Sequence, residues 1–316
     1  IAANLDMLRS EGIANFKRTV SNNYYNWLVT SLRDPQVRNA LVSWSRRPSL
    51  TPLRVQLGEP MTGLRTTDRR ETYSLSSTAA RRYKLFVGEL WDIAGRHDTH
   101  GLTSRLSEPE IGNPVPLCLD GRLISQDLAN SIIEFNFAAR SGAVSDSARV
   151  AEVGAGYGRL AYVHAQAHDL TYCVFDIPPA LAVAQWYLTE ALGRDRILPY
   201  ATDADFASIE PRLTPGTVAF FTPDQLEMFP DGWFGLTQTI STLPEMPARQ
   251  SAHYLTLLAA KSSRAVFLKQ WRQWRNEADQ TDLREADYQL PAPWYLHLRR
   301  TDPVQPAFFN QLWLRA

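Results

Sequence analysis

The sequence predicts an α/β fold, a doubly wound and mostly parallel sheet, joined to a helical N-terminal domain. Two observations support this prediction. From Arg149 onward, short apolar runs typical of buried strands alternate with segments of helical periodicity, a pattern of βαβ units with helices on both faces of a sheet. Before that point the chain mixes helix-like segments with loops. We therefore expect a mainly helical region, residues 1–122, and a sheet domain, residues 123–316.

The N-terminal region contains two helix-like segments. Residues 15–28 are polar and aromatic, and residues 81–95 carry a broad apolar stripe at helical spacing. Pro114 and Pro116 interrupt this pattern. Ser125 is a suitable N-terminal cap for a further helix, which leads into the sheet domain.

The sheet domain is predicted from strand-like runs at regular intervals. The predicted strands are residues 150–153, 171–177, 218–221, 236–240 and 265–268, followed by a C-terminal hairpin of residues 295–300 and 308–314. Helices are predicted after the first strand as far as about residue 168, over residues 178–192, and over about residues 248–260. Strands separated by helices in this way form parallel neighbours.

The composition excludes several classes of partner. The chain has 33 basic and 33 acidic residues, whereas proteins that bind nucleic acid or anionic membranes usually carry a basic excess. No apolar run approaches the roughly 18 residues of a membrane span, and no signal segment is visible at the N-terminus. Cys118 and Cys173 are the two cysteines, too few for a disulfide framework or a zinc cage. We therefore expect a cytoplasmic protein that binds no metal, nucleic acid or membrane.

The most informative motif follows the first predicted strand. Glycines at 154, 156 and 158 lie where a strand passes into a helix, with Glu152 two residues before the first of them. Glycines at such a turn let a ligand approach the backbone. The dinucleotide fingerprint would require glycine at 159, where this chain has Arg159. The spacing is instead typical of the S-adenosylmethionine (SAM) site of class I methyltransferases, and the alternative is a tight turn without a ligand.

Two further strand ends carry suitable polar residues. Asp176 ends the second predicted strand, where a carboxylate can accept hydrogen bonds from both hydroxyls of a ribose; its alternative role is to cap the next helix. Thr222, Asp224 and Gln225 follow the third strand and are candidates for contacts to adenine, or for a simple turn. The predicted cofactor-binding residues are Glu152, Gly154, Ala155, Gly156, Gly158, Asp176, Ile177, Thr222, Asp224 and Gln225.

The fourth strand leads to the candidate catalytic residue. In this architecture the end of that strand faces the transferred methyl group, and Glu245 follows it. We expect Glu245 to act as the acid or base; its alternative role is to cap the helix that follows. Trp271 and Trp274 lie after the fifth strand, where they either stack on a sugar or apolar ring or belong to the core.

With these residues assembled, the chain resembles the sugar O-methyltransferase family of actinobacterial natural-product gene clusters, the group of the nanchangmycin sugar methyltransferase. The resemblance is nearly full length, and its blocks are residues 15–19 (NFKRT), 23–25 (NYY), 122–130 (RLISQDLAN), 152–161 (EVGAGYGRLA), 176–181 (DIPPAL), 243–246 (LPEM) and 269–271 (KQW). This chain has Thr239 and Pro244 where members often carry asparagine and histidine. The histidine would be a plausible base, so its replacement favours Glu245.

The resemblance implies SAM as the methyl donor and a hydroxyl of a deoxysugar or glycoside, in natural-product and antibiotic biosynthesis, as the acceptor. It makes the N-terminal blocks candidates for a lid and substrate wall, with a homodimer left open. The implied substrate-binding residues are Tyr24, Tyr25, Lys269 and Trp271. One alternative is a C-methyltransferase acting on an aromatic ring such as an indole. Another is a SAM-binding regulator or partner subunit without turnover.

Overall fold

The computed structural model describes residues 13–17, 20–21, 35, 49–57, 77–202, 205–276 and 279–316. The chain divides into two compact units, Ile1–Ile133 and Glu134–Ala316. The division falls inside one helix, Gln126–Ala139. None of the helices in the described part of the chain has both the length and the apolar character that a membrane crossing requires.

The first unit combines helices with a small sheet. Its described elements are a 3₁₀ turn at Ile13–Asn15, then Thr51–Arg54 (α1), Gln56–Leu57 (β1), Ser77–His97 (α2), Leu102–Arg105 (α3), Leu117–Leu119 (β2), Arg122–Ile124 (β3) and the start of Gln126–Ala139 (α4). The predicted helix over 81–95 is confirmed within α2, where Tyr83 and Leu90 are buried. The three strands form an antiparallel sheet in the order β1-β2-β3, which the sequence pattern did not predict.

The second unit contains the large sheet. Its elements are Arg149–Val153 (β4), Arg159–Ala167 (α5), Thr171–Phe175 (β5), Pro178–Leu192 (α6), Ile197–Leu198 (β6), Phe206–Ile209 (α7), Val218–Phe221 (β7), Phe234–Ile240 (β8), Ala248–Lys261 (α8), Ser262–Trp271 (β9), Gln273–Arg275 (β10), Asp282–Arg284 (β11), Trp294–Thr301 (β12) and Phe308–Arg315 (β13). Single 3₁₀ turns occur at Arg194–Arg196, Glu210–Arg212, Pro223–Met228, Leu243–Glu245 and Glu285–Asp287.

The strand order confirms the predicted doubly wound sheet. Eight strands run in the order β12-β13-β9-β8-β4-β5-β7-β6. The six strands from β9 to β6 are all parallel to one another. By contrast, β13 is antiparallel to both β9 and β12. The first strand of this sheet along the chain is β4, and the next, β5, lies on one side of it. The chain later crosses to β8, which lies on the other side of β4. Ligands of open α/β sheets bind outside the carboxyl ends of the strands at such a switch point.

The two faces of the sheet differ in character because successive strand residues point to opposite sides. One face carries Val153, Phe175 and Leu268, which belong to a core cluster with Leu258 of α8. The other face carries polar residues that are nonetheless buried, including Glu152 of β4. This buried polar face, described below, is unusual because unpaired polar groups are costly to bury.

Several predicted strand bounds are wrong. The fifth strand, predicted over 265–268, is the longer β9, Ser262–Trp271, so Trp271 lies within it. The second strand was expected to reach Ile177, but β5 ends at Phe175. Ile177 is the N-cap of α6, and Pro178 at the next position has no N–H with which to continue a strand ladder. The early end leaves Asp176 at the sheet edge.

Candidate functional site

The three glycines after β4 all adopt positive φ, but they serve different purposes. Their φ angles are 80°, 59° and 86° at Gly154, Gly156 and Gly158. A methyl group on Gly154 would approach Thr242 Oγ1 to 1.9 Å, and one on Gly158 would approach Leu188 Cδ1 to 2.6 Å. A methyl group on Gly156 would meet nothing within 4 Å. Packing therefore requires the outer two glycines, whereas the middle one presents exposed backbone to open space.

The carboxylate of Asp176 is bound to this turn. Its Oδ2 accepts a hydrogen bond from the Gly156 N–H at 2.7 Å, and its Oδ1 accepts one from the Ile177 N–H at 2.7 Å. Burial raises the pKa of Asp176 to about 6, although the two backbone hydrogen bonds oppose the rise. The side chain does not cap α6, which has no side-chain cap. Each carboxylate oxygen keeps a lone pair for a further donor.

The end of β8 also reaches the glycine turn. Thr242 Oγ1 lies 3.3 Å from the Gly154 carbonyl oxygen. The preceding residue, Ser241, has a φ of 57°, a conformation that non-glycine residues rarely adopt and that is often found at functional sites. The ends of β4, β5 and β8 thus meet around one stretch of backbone.

Glu245 ends the 3₁₀ turn that follows β8, and its side chain is exposed. Its alternative role as a helix cap is wrong: α8 has no side-chain cap from its own segment, and Asp279 Oδ2 accepts from the Ala248 N–H at 2.7 Å. Partial burial raises the pKa of Glu245. Its negative charge in turn contributes to the raised pKa of Asp176, so the two carboxylates interact across the site.

The residues after β7 form a closed turn. The Thr222 N–H donates to Gln225 Oε1 at 2.9 Å, and Gln225 Nε2 donates to the Ala201 carbonyl at 3.1 Å. Gln225 is buried, whereas Asp224 is exposed. The turn joins the same sheet edge, because the Asp176 N–H donates to the Phe221 carbonyl at 3.1 Å.

The buried side chain of Glu152 accepts a hydrogen bond on the polar face of the sheet. The Tyr172 hydroxyl donates to Glu152 Oε2 at 2.6 Å and accepts from Gln238 Nε2 at 2.7 Å. Gln238 Nε2 also lies 3.4 Å from His164 Nε2. Burial raises the pKa of Glu152 to about 7 and lowers that of His164 to about 3. This buried series of side chains begins at Glu152, on the strand that leads into the glycine turn.

The predicted substrate residue Lys269 is buried in ion pairs. Its Nζ lies 2.8 Å from Glu134 Oε1 and 3.0 Å from Asp302 Oδ2, and its side chain is 3% exposed. Neither of these carboxylates was predicted from the sequence. Glu134 had a detectable signal, since it is a charged residue between Ile133 and Phe135 in an apolar helical run. Asp302, in the turn of the C-terminal hairpin, had none.

Trp271 belongs to an aromatic cluster at the carboxyl end of β9. Its ring centroid lies 4.2 Å from that of Phe308 and 5.3 Å from that of Trp274. Trp271 and Trp274 are both partly exposed. Tyr24 and Tyr25, the other predicted substrate residues, lie outside the described residues.

Comparisons with known proteins give remote structural likenesses. The chain matches no protein-family model and no curated protein. Magnesium protoporphyrin IX methyltransferase from Synechocystis PCC 6803, with bound SAM, is 15% identical with a TM-score of 0.44, over 60% of this chain and 79% of that one. A putative sarcosine dimethylglycine methyltransferase from Galdieria sulphuraria is 9% identical with a TM-score of 0.43, over 60% and 86%. A SAM-dependent methyltransferase from Aquifex aeolicus is 12% identical with a TM-score of 0.37, over 58% and 89%.

Among the residues that the structure describes, no three histidine, cysteine, aspartate or glutamate side chains are grouped so that they could hold a metal ion. The polar groups at the sheet edge are instead backbone N–H groups and carboxylates. They suit an uncharged or cationic organic ligand better than an anionic one, because carboxylates repel anions.

Proposed function

We propose that this protein is a SAM-dependent methyltransferase and that SAM binds at the carboxyl edge of β4, β5 and β8. The observation that carries the proposal is the pairing of Gly156 and Asp176. Gly156 leaves open space above its backbone, and its N–H fixes a buried carboxylate beside that space. A ribose hydroxyl has a preorganised acceptor there.

The same residues argue against a dinucleotide. Arg159 occupies the position of the third fingerprint glycine, and its guanidinium forms a bidentate ion pair with Glu134. The SAM sulfonium is cationic, and Asp176 and Glu245 are the acidic groups that interact across this edge. A nearby pair of carboxylates favours a cation. Of the cofactor-binding residues predicted from the sequence, Gly156 and Asp176 are the central members of the proposed site, whereas Glu152 is buried in the sheet and bonded to Tyr172.

We infer that the acceptor is a sugar hydroxyl and that Glu245 receives its proton. When bound, SAM would supply the methyl group of its sulfonium to the acceptor oxygen, and neutral S-adenosylhomocysteine would be the leaving group. Glu245 follows the strand end that contacts the glycine turn, and its raised pKa makes it a better proton acceptor than an ordinary carboxylate. Trp271 offers a partly exposed ring on which a sugar face could stack.

A second candidate, C-methylation of an aromatic ring, is favoured by the cluster of Trp271, Trp274 and Phe308. Aromatic rings prefer offset or edge-to-face contact with one another. Incubation with SAM and a panel of glycosides and aromatic metabolites, followed by mass spectrometry, separates the candidates. A gain of one methyl group on a glycoside supports the first, and on an indole the second; no methylated product would contradict both.

Cofactor binding is tested by a matched pair of glycine variants. Gly156 and Gly121 both adopt positive φ, at 59° and 78°, and a methyl group on either would meet nothing within 4 Å. Gly156→Ala and Gly121→Ala should therefore carry a backbone strain of the same order, about 1 kcal/mol. Gly121 lies in the turn between β2 and β3, which is not part of the proposed site. Only Gly156→Ala should weaken SAM binding in calorimetry, by about tenfold or more. Equal SAM affinity in both variants, or no binding to the parent protein, would contradict the proposed site.

A further inference from the structure

Four charged side chains form a hub on the polar face of the sheet, in which Glu134, Lys269 and Asp302 are buried and Arg159 is 24% exposed. Arg159 Nη1 lies 2.5 Å from Glu134 Oε2, and its Nη2 lies 3.0 Å from Glu134 Oε1, which gives a bidentate pair. Lys269 bridges Glu134 and Asp302 at 2.8 and 3.0 Å. The side chains of Glu134 and Asp302 are each 1% exposed.

All four members of the hub are charged. Burial alone would raise the pKa of Glu134, but Arg159 and Lys269 lower it overall. Burial alone would lower the pKa of Lys269, yet Asp302 and Glu134 raise it. Two cations and two carboxylates balance, so the group carries no net charge. Removing one member would leave a buried charge uncompensated, which is strongly unfavourable.

One end of the hub is joined directly to the glycine turn. Arg159 is the first residue of α5, and Gly158 before it is the N-cap in a left-handed conformation. The Gly158 N–H donates to the Ala155 carbonyl at 2.9 Å, which closes the turn. A guanidinium locked in a bidentate geometry therefore fixes the residue at which the turn ends.

The other end of the hub lies in the C-terminal hairpin, away from the turn in the chain. Asp302 Oδ1 accepts from the Val304 and Gln305 N–H groups at 2.9 and 2.8 Å, and its Oδ2 accepts from Asn310 Nδ2 at 3.0 Å. These bonds organise the connection between β12 and β13. The hub thus has two ends, Arg159 and Asp302, of which only Arg159 is joined to the cofactor turn.

We propose that Arg159, held by Glu134, is a positioning residue that keeps the glycine turn in the geometry that binds the nucleoside cofactor. The inference rests on the proposed SAM site. It assigns to Arg159 an effect on SAM affinity that Asp302, at the opposite end of the same hub, does not have. The effect passes through the backbone of Gly158 and not through contact with the cofactor.

The experiment compares Arg159→Met with Asp302→Asn by calorimetry with SAM and by thermal unfolding. Both variants break the hub, so both should lower Tm. Arg159→Met should raise the Kd for SAM by about tenfold or more, which corresponds to about 1.4 kcal/mol, whereas Asp302→Asn should stay within about threefold of the parent. Arg159→Lys, which keeps the charge but loses the fork, should lie between the parent and Arg159→Met.

The outcomes separate the two proposals. Absence of SAM binding by the parent overturns the proposed function and this inference with it. SAM binding by the parent that Arg159→Met retains within about threefold overturns the positioning role alone. Equal weakening in Arg159→Met and Asp302→Asn also overturns it, because that result means a general loosening of the fold. If Arg159→Met fails to fold, Arg159→Lys decides: unchanged SAM affinity there refutes the positioning role.

Discussion

Replacing Asp176 by asparagine tests the ribose anchor. The carboxylate accepts hydrogen bonds from the Gly156 and Ile177 N–H groups, both at 2.7 Å. An amide keeps one acceptor oxygen and turns an NH₂ group toward the other N–H, so one backbone donor loses its partner. The ribose also loses a charged acceptor. Hydrogen bonds to charged groups contribute about 1.5–3 kcal/mol, so the Kd for SAM should rise about 10- to 100-fold.

The same prediction has a pH dependence. Because burial raises the pKa of Asp176 from 3.8 to about 6, SAM affinity should increase as the pH rises through about 6 and then level off. Asp176→Asn should lack this increase. Stability has the opposite trend: a raised pKa means that the folded state holds the proton more tightly, so the contribution to stability is complete below 3.8 and is lost as the pH rises through about 6.

The assay is calorimetric titration with SAM and with S-adenosylhomocysteine, above and below the pKa of Asp176, with Tm measured in parallel. Both ligands carry the same ribose, so both should weaken together in Asp176→Asn. Affinities within about threefold of the parent, accompanied by a lower Tm, would refute the anchor. That result would leave Asp176 with the single task of holding the glycine turn.

Two other carboxylates give distinct expectations. Glu245→Gln should lower turnover about 10²–10⁴-fold at saturating SAM, the usual contribution of a positioned base; turnover within a few-fold of the parent would reject the base. For Glu152, whose pKa burial raises from 4.5 to about 7, stability should fall as the pH rises through about 7. Glu152→Gln should flatten the profile of Tm against pH in that window, whereas the exposed control Asp195→Asn should retain it; an unchanged profile in Glu152→Gln would contradict the assignment.

The parts of the fold that depend on local patterns could be predicted from the sequence. Buried strands such as Val218–Phe221 are short apolar runs, and their separation by helices implies parallel pairing, which the strand order confirms. The strands β1, β2 and β3 were not predicted because two or three residues are too few to show alternation. The end of β5 was misplaced because the effect of Pro178 on the ladder outweighs the strand propensity of Ile177.

The candidate site shows the same limit. Gly156 and Asp176 are found from spacing, because both lie within three residues of a strand end. The ion-pair partner of Lys269 cannot be found from spacing, because Glu134 lies 135 residues away along the chain. Nothing in the residues around Lys269 distinguishes a buried ion pair from a ligand contact. Predicting such pairs requires knowing which strand faces and helices meet, and this depends on the complete topology.

The β10–β11 hairpin is tied to the Glu245 turn by Asn276, and the form of this tie has a consequence for the sequence of the turn. Asn276 is buried and its Nδ2 donates to the carbonyl oxygens of Pro244 and Met246, at 2.9 and 2.5 Å. Every residue type supplies a carbonyl, so this attachment constrains the identity of position 276 but not of positions 244 and 246. The anchorage of the turn beside the proposed catalytic glutamate therefore does not depend on which side chains stand at positions 244 and 246.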